Sequence, residues 1–191
     1  MTIYLVRHTT YLNPDHVYAF KLPFELSGEG IDHAGRVGEW FKGNSLLGLI
    51  IYSSPIKRTV QTAEIIANKI GSKIVIEDRL IEVACPNLEG KKQPEDEDET
   101  WRKEAIDSSR EPSEDVQKRV VSFFQEKMNE KEDCIFVSHG DPLTALYYFL
   151  IKKPLVPCLF DDEHIDIYIK RGEIVKVEIN EDKFQIKRIN M

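Results

Sequence analysis

Long apolar runs and an excess of positive charge are missing from this chain of 191 residues, and cysteines are few. A helix that crosses a bilayer needs about 20 consecutive apolar residues. No run of that length occurs, so we expect no contact with a membrane. The N-terminus has no basic segment ahead of an apolar one, which argues against a secretory signal peptide. The net charge is −7, whereas a nucleic-acid-binding domain usually carries an excess of basic residues. The composition therefore argues against binding of nucleic acid.

The three cysteines are Cys85, Cys134 and Cys158, and they are scattered along the chain. An odd, dispersed set forms neither a disulfide framework nor a metal-binding pair. A reducing cytoplasm is therefore the simplest location, and we expect Cys85 to be an ordinary buried thiol. With 41% hydrophobic and 31% charged residues, the composition predicts one globular domain over residues 1–191.

Short apolar runs alternate with amphipathic segments over the first 150 residues. Four runs rich in apolar and β-branched residues predict buried strands, namely 2–6, 47–54, 73–78 and 133–140. Helical spacing of apolar residues follows these runs, with start signals at Ser27, Pro55, Ser113 and Pro142 and a stop signal at Gly71.

Two further segments complete the expected architecture. Residues 84–112 lose the periodicity, contain the acidic run 95–99 and predict a cap or insert with a helix around Trp101. Residues 166–189 alternate with period two, which predicts an antiparallel meander. The whole pattern predicts an α/β fold, a three-layer α/β/α sandwich with a mainly parallel central sheet and antiparallel C-terminal edge strands.

Basic side chains follow three of the predicted strands. Arg7 and His8 end the first strand, Arg58 lies one turn into the helix after the second, and His139 ends the last of the four. Ligand sites of such sheets lie at the carboxyl ends of the strands, so these side chains should meet. Arginines fork onto phosphate oxygens, and nearby positive charge keeps a histidine neutral and nucleophilic. The pattern predicts an oxyanion pocket in which a histidine attacks phosphorus.

A metal site is the alternative use of the same histidines. His8 and His139 could both be ligands of a divalent cation. The arginines beside them oppose that use, because like charges repel. We therefore expect neither a metal nor another cofactor.

Four segments carry the residues of this pocket, in the order LVRHTT, YSSPIKRTVQTAEIIA, RLIEVACPNLEG and VSHGDPLTAL. Together they resemble the signature segments of the histidine phosphatase superfamily, also called the phosphoglycerate mutase-like family. The second segment is close to the family's Ser-Ser-x-x-x-Arg-x-x-Gln-Thr-Ala and is the most specific of the four. The resemblance extends from residue 3 to about residue 150.

The resemblance implies a role for five residues. His8 would be the phosphorylated nucleophile, and Arg7 and Arg58 would hold the phosphate oxygens. His139 would stabilise the charge that develops on those oxygens. Glu82, in a Leu-x-Glu segment, would protonate the leaving oxygen and later activate water. Two other carboxylates are rivals for that last role, Glu89 and Asp141.

Departures from the family leave the substrate pocket less defined. Thr9 replaces a usual glycine, Tyr11 replaces a usual threonine, and the family's frequent Arg-x-x-Gly substrate segment is absent. The candidate substrate-binding residues are therefore Thr10, Asn13, Lys21 and Gly140. The basic residues beside the acidic run could grip substrate or simply face solvent, and these are Lys91, Lys92, Arg102 and Lys103. Three histidines match no motif and are expected in surface or loop positions, namely His16, His33 and His164.

The activity that the resemblance implies is a metal-independent phosphomonoester hydrolase acting on a small-molecule phosphate ester or a phosphoprotein. A cofactor-dependent phosphoglycerate mutase is the nearest alternative. Mutases need a second anion site and a cap that excludes water, and the short acidic cap favours hydrolysis. A non-catalytic phosphate-binding protein on the same fold is the third reading, and the presence of all five residues argues against it. The sequence is compatible with a monomer and with a homodimer.

Overall fold

A computed structural model of the protein describes residues 1–157, 159, 166–181 and 183–190. Within helices, the side chains of residues 97, 98 and 101 are outside this description. The predictions made for Cys158, for His164 and for the side chain of Trp101 therefore fall outside the described part of the chain.

The strands are β1 (Thr2–Arg7), β2 (Ile50–Ser53), β3 (Ile74–Ile76), β4 (Cys134–Ser138), β5 (Ile174–Asn180) and β6 (Lys183–Ile189). They form one sheet in the order β3-β2-β4-β1-β5-β6. The first four strands in this order are parallel, and β5 and β6 continue the sheet in antiparallel pairing. This arrangement confirms the predicted sheet. Its register pairs Arg7 with Ser138 and Ser53 with Val137, so three carboxyl ends lie side by side.

The helices are α1 (Gly28–Gly43), α2 (Lys57–Ile70), α3 (Glu97–Ile106), α4 (Ser113–Glu130) and α5 (Gly140–Leu150). Side chains of β1 alternate between the two faces of the sheet. Tyr4 and Val6 join the apolar cluster under α1 and α2, and Ile3 and Leu5 join the cluster under α4 and α5. The three predicted layers are confirmed. None of the helices in the described ranges has the length and apolar character needed to span a membrane.

Three of the five predicted helix ends are confirmed, including Ser113 as the first residue of α4, and two starts are displaced. The Ser27 hydroxyl accepts a hydrogen bond from the Gly30 amide at 3.0 Å, and Gly71 ends α2 with a left-handed φ of 70°. Helix α2 begins two residues after Pro55, and α5 begins two residues before Pro142. Amides in a first helical turn have no partner within the helix, so Pro142 is tolerated there. His139 consequently occupies the N-cap position of α5.

The predicted C-terminal meander is shorter than expected. Strands β5 and β6 are present, but residues 166–170 form no strand. Their backbone groups are satisfied by side chains instead of by a neighbouring strand. The Arg188 guanidinium donates to three of the carbonyl oxygens, and the Ile169 amide donates to Thr144 Oγ1 at 3.1 Å. Residues 166–170 are therefore a loop that hydrogen bonds from side chains hold in place.

Residues 84–112, the predicted insert, contain α3 around Trp101 as expected. The two ends of the insert are joined to each other, because the Glu111 amide donates to the Ala84 carbonyl at 2.8 Å. The Tyr18 hydroxyl donates to the carbonyl of Thr100 in α3 at 3.2 Å. Cys85 is buried, and burial raises the pKa of its thiol, in agreement with an ordinary buried cysteine.

Gly30 allows α1 to approach the loop that follows β1. A Cβ at this position would lie 1.9 Å from the Thr10 carbonyl oxygen. We expect Gly30→Ala to lower the free energy of unfolding by about 1–3 kcal/mol, because helix and loop must separate. Gly35→Ala is the matched control on the same helix, since its Cβ would meet nothing within 4 Å. The control should be neutral or stabilising by about 0.5–1 kcal/mol. Urea unfolding measures both, and equal values would contradict this packing.

Candidate active site

The carboxyl ends of the parallel strands bring the five predicted catalytic residues together. The imidazole rings of His8 and His139 have centroids 5.1 Å apart. Arg58 Nε lies 3.2 Å from His8 Nε2, and His139 Nδ1 lies 3.8 Å from a carboxylate oxygen of Glu82. Arg7 lines the same cavity as His8, Arg58 and Glu82, a space of about 910 Å³. The cavity is large enough for a small molecule.

His8 is held with one ring nitrogen aimed at the arginine. Its Nδ1 lies 2.8 Å from the Thr9 carbonyl oxygen, which only accepts, so Nδ1 carries the proton. The lone pair is therefore on Nε2, where it accepts from Arg58 Nε. Burial, followed by the charges of Arg58 and Arg7, holds the pKa of His8 well below its ordinary value. The imidazole is neutral at neutral pH, which is the nucleophilic form.

Arg58 is buried and fixed by backbone carbonyl groups. Its terminal nitrogens donate to the carbonyl oxygens of Phe20 at 2.7 Å and Leu22 at 3.1 Å. The loop that follows β1 therefore orients the guanidinium, and the Nε–H is the group directed at His8. Burial lowers the pKa of Arg58, and the negative charge of Glu82 opposes this effect. The arginine remains a cation because its ordinary pKa is so high.

Arg7 leaves one buried donor without a partner. One terminal nitrogen donates to the Ile169 carbonyl at 2.8 Å, and the guanidinium carbon lies 5.0 Å from the centre of the Tyr168 ring. Among the described residues, its Nε has no hydrogen-bond partner. An unpaired buried donor is unfavourable by about 1–3 kcal/mol. An anionic ligand oxygen would remove that penalty, so the geometry suits an oxyanion.

His139 is placed by Ser54. The hydroxyl of Ser54, just beyond β2, lies 2.8 Å from His139 Nε2. Its Nδ1 is buried, with no hydrogen-bond partner in the described part of the protein. Burial, followed by the charge of Arg58, holds the pKa of His139 well below its ordinary value. The residue is also the N-cap of α5, whose free backbone amides favour negative charge nearby.

Glu82 has a carboxyl group suited to proton transfer near neutral pH. It is buried, and one carboxylate oxygen accepts from the Val83 amide at 3.0 Å. Burial and then the charge of Asp141 raise the pKa of Glu82 to about 7, and Arg58 partly opposes the increase. A group with this pKa is present in both protonation states at neutral pH, as an acid that becomes a base must be.

The wall beside Glu82 is an ion-pair cluster built around Arg110. Arg110 donates to Glu104 of α3 at 3.1 Å and to Asp141 of α5, and the Tyr168 hydroxyl donates to Asp141 at 2.9 Å. Burial raises the pKa of Glu104 to about 8, against the effect of Arg110. Sequence reasoning missed Glu104 and Arg110, because no motif contains either. Asp141 was named only as a rival acid, and here it is engaged by Arg110 and Tyr168.

The four predicted substrate-binding residues do not line the cavity. The Asn13 side chain bonds both backbone groups of Val17, at 2.8 and 3.1 Å, and so holds its own loop. Lys21 is exposed, and its amide donates to Glu89, the other rival carboxylate, at 2.6 Å. The Thr10 carbonyl accepts from Ser27 at 3.0 Å, and Gly140 opens α5 against the Tyr168 hydroxyl. Their contact with substrate stays a prediction.

The side chains that line the cavity include Tyr11, His16, Lys92, Lys170 and Arg171. His16 lies in a loop, as predicted, but that loop borders the cavity. Lys92 is brought there by an antiparallel bridge to Val17. Lys91 and Arg102 are exposed, and Lys103 pairs with Glu99 at 2.9 Å on the surface of α3. Of the four basic residues near the acidic run, the structure therefore directs Lys92 toward the site.

Across the described ranges, no group of three or more histidine, cysteine, aspartate and glutamate side chains is arranged to hold a metal ion. His8 instead faces Arg58, and His139 faces Ser54.

The sequence model of the Histidine phosphatase superfamily (branch 1) matches residues 3–191, and the chain belongs to this family. A Hydrogenobacter thermophilus protein named "Putative phosphoserine phosphatase 2" is 28% identical over 159 residues, or 78% of this chain and 77% of that protein. A 2,3-bisphosphoglycerate-dependent phosphoglycerate mutase of Thermoplasma acidophilum is 33% identical over 132 residues, or 65% of this chain and 63% of the mutase.

Solved structures share the fold. YhfR of Bacillus stearothermophilus superposes with a TM-score of 0.79 at 24% identity, over 97% of this chain and 94% of that chain. The resemblance inferred from the four segments is thus confirmed by family and by fold. Since the relatives include a phosphatase and a mutase by name, the family supports an enzyme acting on phosphate esters and leaves the reaction type open.

Proposed function

We propose that the protein is a metal-independent phosphomonoester hydrolase that works through a phosphohistidine on His8, with Glu82 as general acid and base. The observation that carries this proposal is the neutral His8 ring, whose Nε2 lone pair faces Arg58 in a cavity lined by cations. A neutral nucleophile surrounded by fixed positive charge is the arrangement that attack on an anionic phosphate requires.

In the first step, the phosphate oxygens replace His8 as the acceptor of the Arg58 Nε–H. This exchange frees the Nε2 lone pair, which forms a bond to phosphorus while the bond from phosphorus to the ester oxygen breaks. Glu82 in its protonated form gives its proton to that oxygen, and the alcohol leaves. Arg7 and Arg58 hold the transferring group, and His139 stands 5.1 Å from His8 to stabilise its charge.

In the second step, a water molecule attacks the phosphohistidine. The Glu82 carboxylate takes a proton from the water as the new phosphorus–oxygen bond forms. The phosphorus–nitrogen bond breaks, and its electron pair returns to His8 Nε2. The sum of both steps is one ester and one water converted into one alcohol and one inorganic phosphate, with the enzyme restored.

A phosphoglycerate mutase is the second candidate, and the Thermoplasma acidophilum relative favours it. A mutase returns the phosphoryl group to an organic acceptor and must keep water away from the phosphoenzyme. The insert of this protein contributes one helix, α3, of 10 residues. Such a small cap favours access of water, and therefore hydrolysis.

The test is an assay of phosphate release from p-nitrophenyl phosphate and a panel of phosphate esters in the presence of EDTA. We expect hydrolysis that EDTA leaves unchanged. A parallel incubation contains 3-phosphoglycerate with a trace of bisphosphoglycerate. Rapid formation of 2-phosphoglycerate without phosphate release would establish the mutase instead. Inactivity on the whole panel would favour a phosphate-binding protein.

The pKa of Glu82 predicts how activity depends on pH. A general acid with a pKa of about 7 carries its proton below that pH and loses it above. The value of kcat/KM for an alkyl phosphate should therefore fall about tenfold per pH unit above pH 7. His8, with its lowered pKa, stays neutral in this range and adds no limb there. p-Nitrophenyl phosphate should show a much shallower decline, since p-nitrophenolate leaves without a proton. Profiles from pH 5 to 9 that coincide for both substrates would assign the limb to another group.

A further inference from the structure

Two residues of the loop that leads into β5 are bonded to the beginning of α5. The Tyr168 hydroxyl donates to Asp141 Oδ1 at 2.9 Å, and the Ile169 amide donates to Thr144 Oγ1 at 3.1 Å. Asp141 and Thr144 are three residues apart, so they lie on the same face of the helix. This face of α5 therefore fixes Tyr168 and Ile169 relative to His139, the N-cap of the helix.

Gly140 makes room for the Tyr168 hydroxyl at the start of α5. A Cβ at position 140 would lie 2.0 Å from the hydroxyl oxygen and 2.5 Å from the ring carbon that carries it. Any larger residue at this position would displace the Tyr168 ring. The absence of a side chain at Gly140 thus serves the close approach of Tyr168 to the helix.

Asp141 holds the Tyr168 hydroxyl with a charged hydrogen bond. The carboxylate is buried, and its other oxygen accepts from Arg110, which supplies the countercharge that a buried carboxylate needs. Burial and then the charge of Asp141 hold the pKa of Tyr168 well above its ordinary value, so the phenol keeps its proton and is the donor. A hydrogen bond to a charged acceptor is stronger than one between neutral groups. The orientation of the Tyr168 ring is therefore well fixed.

The fixed ring lies against the guanidinium of Arg7. The guanidinium carbon is 5.0 Å from the centre of the Tyr168 ring, and one terminal nitrogen donates to the Ile169 carbonyl at 2.8 Å. The negative face of an aromatic ring attracts a cation placed over it. Two neighbouring residues thus hold Arg7, Tyr168 through its ring and Ile169 through its carbonyl oxygen.

Arg7 depends on this ring more than Arg58 depends on any one contact. Among the described residues, the Arg7 side chain donates a single hydrogen bond, to Ile169. The terminal nitrogens of Arg58 donate to two carbonyl oxygens of the loop after β1 at 2.7 and 3.1 Å. A guanidinium with one hydrogen bond can still rotate about it, and the Tyr168 ring restricts that rotation.

We infer that Tyr168 is a positioning residue for Arg7. Its ring supports the guanidinium that binds the phosphate group, and its hydroxyl, bonded to Asp141, keeps the ring in place. The inference rests on the proposed function, in which Arg7 holds the phosphate oxygens. It links the orientation of Arg7 to α5, the helix that begins at His139.

Binding of orthovanadate, an oxyanion of the same shape as phosphate, tests the inference without turnover. Calorimetry should show about 10–30-fold weaker binding for Tyr168→Leu, which removes the ring beneath the guanidinium. Tyr168→Phe retains the ring and loses its anchor, so binding should weaken by about 3–5-fold. In an Arg7→Gln background, each of the two substitutions should change the affinity by less than about twofold, because its effect passes through Arg7.

Tyr4→Phe is the matched control, because Tyr4 is buried in β1 and does not line the cavity. It should leave the affinity for orthovanadate unchanged. Unfolding temperatures show which variants are folded, and if Tyr168→Leu is not, the same comparison with Tyr168→Phe decides.

Three results would overturn the inference. The first is a loss of equal size with and without Arg7→Gln, which would show a general structural role for Tyr168. The second is parental affinity in the Tyr168 variants, and the third is no binding of orthovanadate by the unmodified protein. Hydrolysis of p-nitrophenyl phosphate by the unmodified protein reports on the proposed function separately. Inactivity together with intact orthovanadate binding would end the proposed function and leave the role of Tyr168 standing.

Discussion

Replacing His8 with alanine should reduce phosphate release from every ester by at least about 10⁴-fold, since no second nucleophile can take over the first step. His8 is the buried imidazole whose Nε2 lone pair faces Arg58, and its Nδ1 proton is committed to the Thr9 carbonyl. Alanine removes the proposed attacking atom and leaves Arg7 and Arg58 in the chain. The measurements are kcat on p-nitrophenyl phosphate and acid-labile phosphoprotein trapped by rapid acid quench.

Two further observations make that result interpretable. The variant should unfold at a temperature near that of the parent protein and should still bind inorganic phosphate, because the arginines proposed to hold the anion remain. Loss of phosphate binding would indicate a disturbed site and not a missing nucleophile. Turnover at the parental rate, or a phosphoenzyme that persists, would assign the nucleophile to another residue and end the proposed mechanism.

Glu82→Gln should lower kcat/KM for alkyl phosphates by about 10²–10⁴-fold and for p-nitrophenyl phosphate by less than about tenfold. kcat/KM reports the first step, where only the alkoxide needs a proton. In the second step the same residue activates water, so the variant should release a burst of p-nitrophenol and then turn over slowly. The leaving-group dependence of kcat/KM, together with stopped-flow detection of the burst, measures both roles.

Glu104→Gln is the matched comparison, because Glu104 lines the same cavity and has a pKa raised to about 8. It pairs with Arg110 at 3.1 Å, whereas Glu82 approaches His139. We expect this variant to affect alkyl and aryl esters alike. If Glu104→Gln produced the leaving-group effect and Glu82→Gln did not, the acid would be Glu104.

The residues predicted to do the chemistry were recognisable because local patterns define them. An apolar strand that stops at Arg7 and His8 places those side chains at the sheet edge by strand geometry alone. The same holds for His139 after β4 and for Arg58 in the first turn of α2. Parallel strands then align their carboxyl ends, so the convergence of these side chains follows from the order of strands and helices.

The rest of the cavity could not be predicted in this way. Asn13 and Lys21 lie near His8 in sequence, but Asn13 is used to close its own loop and Lys21 points to solvent. Proximity in sequence says little about a loop, because its path depends on contacts with distant segments. Val17 pairing with Lys92 is one such contact.

The sequence by itself determined the layered α/β fold, the strand ends that carry His8 and its neighbouring arginines, and the family, since each depends on periodicity or on a short motif. Only the tertiary structure decided which side chains surround the reacting group. Arg171 reaches the cavity because Gly172 and Glu173 bond to the backbone of Arg7, a residue far away in sequence. Glu104 acquires its raised pKa from burial. Hydrogen bonds between distant segments and the removal of water arise only when the chain is folded, so no local pattern records them.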